Sequence, residues 1–193
     1  MDMIHKLNVI SSFSNSIQSC KGLPPSDTDF KAVKISETEF VLIFDLDQVA
    51  IYNVTSKFWT HIGYLSHPRV HSKAAFFNGK VIVTGGRLWG NSLDFSSTEI
   101  IDISRRQMRP GGNLNFGRTL HGMAKVTINE ELKLIAFGYT CSLYKQPGKL
   151  EDRIIEVWND DKEIWEVNEN DRNRVIGIKR SFSTLTIPSY NFI

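Results

Sequence analysis

The sequence predicts an all-β chain built from tandem four-stranded units. Three observations carry that expectation. First, residues 74–86, AAFFNGKVIVTGG, set Asn78-Gly79 between two apolar runs. This is the pattern of a hairpin whose type I′ turn needs positive φ at both central positions. The Gly85-Gly86 doublet then ends the second strand with backbone that glycine adopts cheaply. Second, a strand, a polar turn and a bulky apolar residue recur with one spacing. Glu99 to Met108, Glu156 to Trp165 and Ala50 to Trp59 are each nine positions apart (108 − 99, 165 − 156, 59 − 50). Third, Leu65-Ser66-His67-Pro68-Arg69 returns as Leu114-Asn115-Phe116-Gly117-Arg118 at an offset of 49 (114 − 65). A lone hairpin cannot bury both its faces, so a period near ~50 points to an array of sheets and not to a helical solenoid.

The elements follow in order on this ruler. Residues 8–25 are a weak copy of 50–67, aligning Ile17 with Trp59 and Leu23 with Leu65. Residues 31–44, KAVKISETEFVLIF, predict a hairpin turning near Glu37-Thr38. The three nine-residue segments each predict a second hairpin, its turn opened by Asn53, Asp102 or Asn159, because Asn and Asp side chains cap their own turns. Residues 123–138 predict a further hairpin turning at Asn129-Glu130-Glu131 and ending on Gly138 alone, where the earlier unit has a doublet. A long loop, 139–152, precedes the third nine-residue segment, and Arg180 to Leu185 predict the opening strand of one more unit.

The chain has 193 residues, 41% hydrophobic and 11% aromatic with 12 Phe. That supplies a core and favours strands. A net charge of +2, from 23 basic and 21 acidic residues, argues against nucleic acid or an anionic membrane as partner. Two cysteines, Cys20 and Cys141, make no disulfide framework. With no signal-peptide pattern and no apolar run long enough to cross a membrane, the cytosol is the expected setting. The sequon Asn53-Val54-Thr55 carries little meaning there.

Together the strand-ending Gly85-Gly86, the following Ser97-Thr98-Glu99-Ile100-Ile101-Asp102, the aromatic residues Trp59 and Trp165, and the Leu-x-x-[Pro/Gly]-Arg segments that lead into each unit resemble the kelch repeat. The match is good over 69–118, fair over 31–68 and 119–165, and weak before 30. The resemblance implies a kelch-type β-propeller of about three to four four-stranded blades, with an incomplete or irregular ring. Its parts would be a half blade at 1–30, blades at 31–69, 70–118 and 119–179, and the start of another at 180–193. Two of the three full units lack the doublet, and Met108 stands where tryptophan is usual. A degenerate array, or a fragment of a larger kelch protein, is therefore expected. Its open blade edges would favour self-association.

No catalytic signature stands out. His5, His61, His67, His71 and His121 lack companions at metal-ligand spacing, and His71 and His121 read as repeat positions behind their arginines. No G-x-S-x-G, G-x-G-x-x-G or Walker pattern occurs. NDDKEIW (159–165) resembles the Asp-box turn of sialidase-type propellers only in its Asp and Trp. Cys141 with Tyr139 and Tyr144 faintly resembles a copper-oxidase set. The expectation is a non-enzyme without metal or cofactor, and stoichiometric metal in purified protein would overturn it.

Candidate contact residues lie on loops. Loop 87–96 offers Arg87, Trp89 and Phe95, and loop 139–152 offers Tyr144, Lys145 and Lys149. These include types enriched at binding hot spots, although Trp89 or Phe95 folding back under its own loop is an equal alternative. Arg69 and Arg118, at the start of their units, either line a binding mouth or pin their loops to neighbouring carbonyls, and pinning is favoured. Basic residues Arg105, Arg106, Arg109 and Arg118 precede an acidic stretch at 151–171, a segregation that would orient a docking partner, although a solvated outer strand is the favoured reading for 160–171. The resemblance implies a protein-binding scaffold, such as a ubiquitin-ligase adaptor or a cytoskeletal binder.

Overall fold

A computed structural model describes residues 31–44, 47–88, 90, 93–128, 130–138, 154–167 and 185–186. Every regular element among them is a strand, and no helix there is long and apolar enough to cross a membrane. The chain divides into two compact units, Met1–Tyr64 and Leu65–Ile193.

Among the described residues the first unit holds one antiparallel sheet: β1 (Lys31–Lys34), β2 (Glu39–Phe44), β3 (Gln48–Asn53) and β4 (Phe58–Tyr64), in that order. The central strands are apolar on nearly every position, EFVLIF and QVAIYN, and are buried over most of their length, as expected for strands covered on both faces. The register shifts at Val49/Ala50, which face Gly63 and His61, so that Ile62 is the extra residue of a bulge in β4. Beyond it Tyr52 lies opposite Trp59, with ring centroids 4.4 Å apart. Leu42, Phe44, Ala50 and Tyr52 form a cluster against which Phe40, Val54 and Trp59 pack.

The second unit holds two sheets. One is β5 (Lys73–Phe77), β6 (Lys80–Thr84), β7 (Thr98–Asp102) and β8 (Gln107–Gly111), again in chain order. The other is β9 (Gly122–Ile128), β10 (Glu131–Phe137), β11 (Glu156–Asn159) and β12 (Ile164–Val167), with β13 (Leu185–Thr186) added alongside β9. Of residues 180–193, Leu185 and Thr186 are described, and they pair in parallel with Ala124 and Lys125. The expected half blade, 1–30, lies outside the described residues.

Local chemistry accounts for the repetition. The β5–β6 turn has φ of 44° at Asn78 and 77° at Gly79, the type I′ signature. In all three sheets the outer hairpin turns in the same way. Asn53 Oδ1 accepts from the N–H groups of Thr55 and Ser56, Asp102 Oδ1 from that of Arg105, and Asn159 Oδ1 from that of Lys162. Each turn leaves through a left-handed residue, Lys57, Arg106 or Glu163. The nine-residue spacing thereby sets Tyr52 opposite Trp59, Ile101 opposite Met108 and Trp158 opposite Trp165.

The two sheets of the second unit share one core. Ala75, Phe77, Ile82 and Ile100 from one meet Met123, Leu134, Ala136, Trp158 and Trp165 from the other, with Leu114 of the connection between them. Trp158 and Trp165 lie with centroids 5.2 Å apart, and the Trp165 indole N–H donates to Thr98 Oγ1 at 3.0 Å. A second seam is ionic. Arg109 pairs with Glu163, and Lys80 with Asp160 and Glu163. The hydrogen bond from Arg109 holds the Glu163 carboxyl below its usual pKa against the opposing effect of burial, with Lys80 assisting. Burial works against the Asp160 carboxylate too, but hydrogen bonds from Trp158, Asn78 and Lys80 outweigh it and keep its pKa low. For Arg109, Asp160 and Glu163 the charge segregation seen in the sequence therefore joins two sheets of one chain.

Candidate functional site

An antiparallel sheet of four strands in chain order sends its connections to two ends. In the second sheet the turns 78–79 and 103–106 lie at one end. At the other lie the long β6–β7 loop, 85–97, and two lead-in segments, 65–72 and 112–121, each of which introduces a sheet. Among the described residues the candidate contact positions Arg69, Arg87, Phe95 and Arg118 all fall at this second end.

Each lead-in segment is held by a buried arginine. Arg69 donates from Nη1 to the carbonyls of Gly85 and Ser97, both at 3.1 Å, and from Nη2 to Glu99 Oε1 at 2.7 Å. The other Glu99 oxygen accepts the Ser66 N–H at 2.8 Å. Arg118 repeats the device. Its Nε donates to Glu156 Oε1 at 3.0 Å, its Nη1 to the Gly138 carbonyl and its Nη2 to the Ile154 carbonyl at 2.8 Å. Glu156 in turn accepts the backbone and side-chain N–H groups of Asn115. Both guanidinium groups are wholly buried. Burial pulls the Arg69 pKa down, and the charge and hydrogen bond of Glu99 oppose it. Side chains so enclosed do not reach a partner. Arg69 and Arg118, named as candidate contacts from sequence, are pins: buried charges persist where hydrogen bonds satisfy them.

The backbone between the pins is tightly fastened. Val70 and Arg87 exchange hydrogen bonds of 2.9 and 3.0 Å. Gly86 N–H donates to the Arg118 carbonyl, Phe95 N–H to the Gly86 carbonyl, and Arg118 N–H to the Phe95 carbonyl. The glycine doublet is required by space as well as by φ. A Cβ on Gly85 would stand 2.4 Å from the Arg118 carbonyl oxygen, and one on Gly86 would stand 2.7 Å from that of Val70. His71 and Leu120 take equivalent left-handed positions in the two segments, so the repeat partner of His71 is Leu120. His121 is buried, with Nε2 2.8 Å from Thr84 Oγ1. Burial, reinforced by Arg118 and Lys73, lowers its pKa to about 3, so it is neutral at ordinary pH.

Two leucines of the β6–β7 loop are exposed at this end. Leu93 is 70% exposed and Leu88 38%. Phe95 is half-buried, its ring 5.5 Å from the Arg69 guanidinium carbon and 5.9 Å from the His67 ring. It turns toward the base of its loop. Arg87 is half-buried, with an Nη1 that finds no acceptor among the described residues. Trp89, Tyr144, Lys145 and Lys149 lie outside the described residues, as do Cys141 and Tyr139. Sequence reasoning missed Leu88 and Leu93 because it weighted aromatic and arginine residues. The signal was present: two leucines in a loop otherwise rich in polar residues and glycine. Among the described residues no three His, Cys, Asp or Glu side chains gather as metal ligands.

Comparison with known proteins bears on the fold. No family model matches the chain. Beta-scruin of Limulus polyphemus, a kelch-repeat protein, is 29% identical over 82 residues, 40% of this chain and 9% of that protein. The solved structure of YjhT superposes with a TM-score of 0.56 at 14% identity, covering 75% of this chain and 53% of that one. The chain thus spans about half the length of that solved relative and a small part of beta-scruin. With three sheets that each hold four consecutive antiparallel strands, the third joined by β13, these likenesses support a kelch-like β fold, consistent with a propeller-like architecture.

Proposed function

We propose that this chain is a non-catalytic protein-interaction module that takes its partner on the loop end of the second sheet. The observation that carries the reading is the exposure of Leu88 and Leu93 on the loop that also carries Arg87 and Phe95, a loop fastened at both ends by backbone hydrogen bonds. Exposed apolar side chains on rigid backbone bind without a large ordering cost, and an adjacent arginine donor adds direction. The partial likeness to a kelch-repeat protein supports an interaction role. Within that role a ubiquitin-ligase component or a cytoskeletal protein is the expected partner class.

The test is affinity capture with quantitative mass spectrometry, comparing the native chain with an Arg87→Ala, Leu93→Asp double variant. A partner held by the native chain and lost at least tenfold by the variant, with melting temperatures unchanged, supports the reading. Equal capture by both would contradict it, and a sharp fall in melting temperature would make these side chains structural.

A further inference from the structure

Three polar side chains at the joint between the lead-in segments lie buried without a hydrogen-bond partner among the described residues: Ser72 at Oγ, Thr119 at Oγ1 and His121 at Nδ1. Ser72 is 2% exposed, and the other two are wholly buried. None takes part in the arginine pins or in the exposed loop. Buried polar groups are met by protein or by ordered water, since an unmet one forfeits its hydration for nothing. Three at one joint, all within the second unit, mark a site.

The three flank the glycine doublet. Ser72 and His121 hold equivalent places, just before β5 and β9, at the offset of 49 that relates the two segments (121 − 72). A Cβ on Gly86 would stand 3.0 Å from Ser72 Cβ, and one on Gly85 would stand 2.8 Å from His121 Cε1. The Gly86 N–H donates at 2.7 Å to the Arg118 carbonyl, which is bonded to the Thr119 nitrogen. Leu120, between Thr119 and His121, donates its N–H at 3.1 Å to the carbonyl of His71, next to Ser72.

The donors and acceptors fix the chemistry of an occupant. The Thr84 hydroxyl donates to Met123 Sδ at 3.4 Å, so its oxygen accepts from His121 Nε2 at 2.8 Å. A neutral imidazole protonated at Nε2 keeps an acceptor lone pair at Nδ1. The occupant must donate a proton there, whereas each hydroxyl can both give and take one. It carries no charge, because the buried charges of this joint already pair with each other, Arg69 with Glu99 and Arg118 with Glu156. It is small, because beside neither glycine is there room for a methyl group. Water meets all of these conditions.

We propose that ordered water is built into the joint around Gly85-Gly86, donating to His121 Nδ1 and linked, directly or through a second water, to the Ser72 and Thr119 hydroxyls. It ties segment 65–72 to segment 112–121.

A high-resolution crystal structure of the full native chain tests this. Expected is a water within about 2.7–3.2 Å of His121 Nδ1, with a hydrogen-bonded route from it to Ser72 Oγ or Thr119 Oγ1. A joint in which protein groups satisfy all three atoms overturns the proposal, and so does one in which Nδ1 meets only apolar neighbours. Imidazole nitrogen NMR shifts give a second reading. The Nε2–H tautomer with Nδ1 accepting is expected, and an Nδ1–H tautomer contradicts the proposal. Magnetic relaxation dispersion of the water oxygen counts long-lived buried water. Ser72→Ala combined with Thr119→Val removes both hydroxyls, and a water left with His121 alone has too few partners to be held. This double variant is expected to lose at least one long-lived water relative to the native chain, and an equal number overturns the proposal. The first two readings need no variant, so a double variant that does not fold leaves the proposal open to refutation by them.

Discussion

The lead-in segments 65–72 and 112–121 use one device with different completeness. Arg118 engages a partner from each of its three nitrogens, and Glu156 holds two groups of Asn115, which reaches on to the Trp165 carbonyl. Arg69 leaves Nε without an acceptor among the described residues and holds only the Ser66 N–H through Glu99. What Arg69 has in addition is the Phe95 ring, part of the exposed loop. The pin is therefore structural in both places. Among the described residues, the loop that folds back over its pin is the one carrying Phe95, at Arg69.

Removal of either arginine should have the largest effect on this contrast. Arg118→Met strands a fully buried Glu156 and is expected to cost about 3–5 kcal/mol, read by urea unfolding. Arg69→Met should cost less, because the Arg69 network is less complete. A larger loss at Arg69 would reverse the ranking. Next are the glycines that end the inner hairpins. Gly85→Ala must displace the Arg118 carbonyl and should cost about 2–4 kcal/mol. Gly138→Ala, with its nearest neighbour 3.9 Å away, carries only the left-handed penalty of about 1–2 kcal/mol.

His121 gives a pH signature confined to this joint. Its folded pKa, near 3 because of burial, lies below the ordinary value of 6.5, so the unfolded chain binds the extra proton. The contribution of His121 to stability should be full above that ordinary value. It should fall by up to about 1.4 kcal/mol per pH unit as pH drops through the window toward 3. Replacing His121 by Gln should remove about one proton from the slope between about pH 6 and 4.5. An unchanged slope would show that His121 is not the group responsible. Smallest of all, Phe58→Ser should leave stability within about 0.5 kcal/mol, since Phe58 is 68% exposed.

Much of the fold was legible because short-range rules dictate it. Asn78-Gly79 could form only one kind of hairpin, and the Asn or Asp opening each outer turn fixes which residues face one another. The arginine pins were half-legible. Their recurrence was visible, and so was that of Glu99 and Glu156 within the nine-residue segments. The pairing between them, 30 and 38 residues apart (99 − 69, 156 − 118), was obscured by the longer loop in the later unit. Ala50 at the corresponding place in the first sheet broke the pattern further. The charge segregation misled because sequence places Arg109 and Glu163 far apart, while stacking of consecutive sheets brings them together. Leu88 and Leu93 were visible as apolar residues in a loop, but composition alone does not say which apolar loop residues turn outward.

The guanidinium–carboxylate pin ties each lead-in segment to the sheet it introduces, and at Arg69 the Phe95 ring lies against it. A double-mutant cycle on Arg118→Met and Glu156→Leu, read as unfolding free energy, probes that pin without intermediaries. The double variant is expected to be far less damaged than the summed single changes, with a coupling above about 2 kcal/mol. Additivity within about 0.5 kcal/mol would show that the two side chains do not act as a pair, and the pin would have to be abandoned.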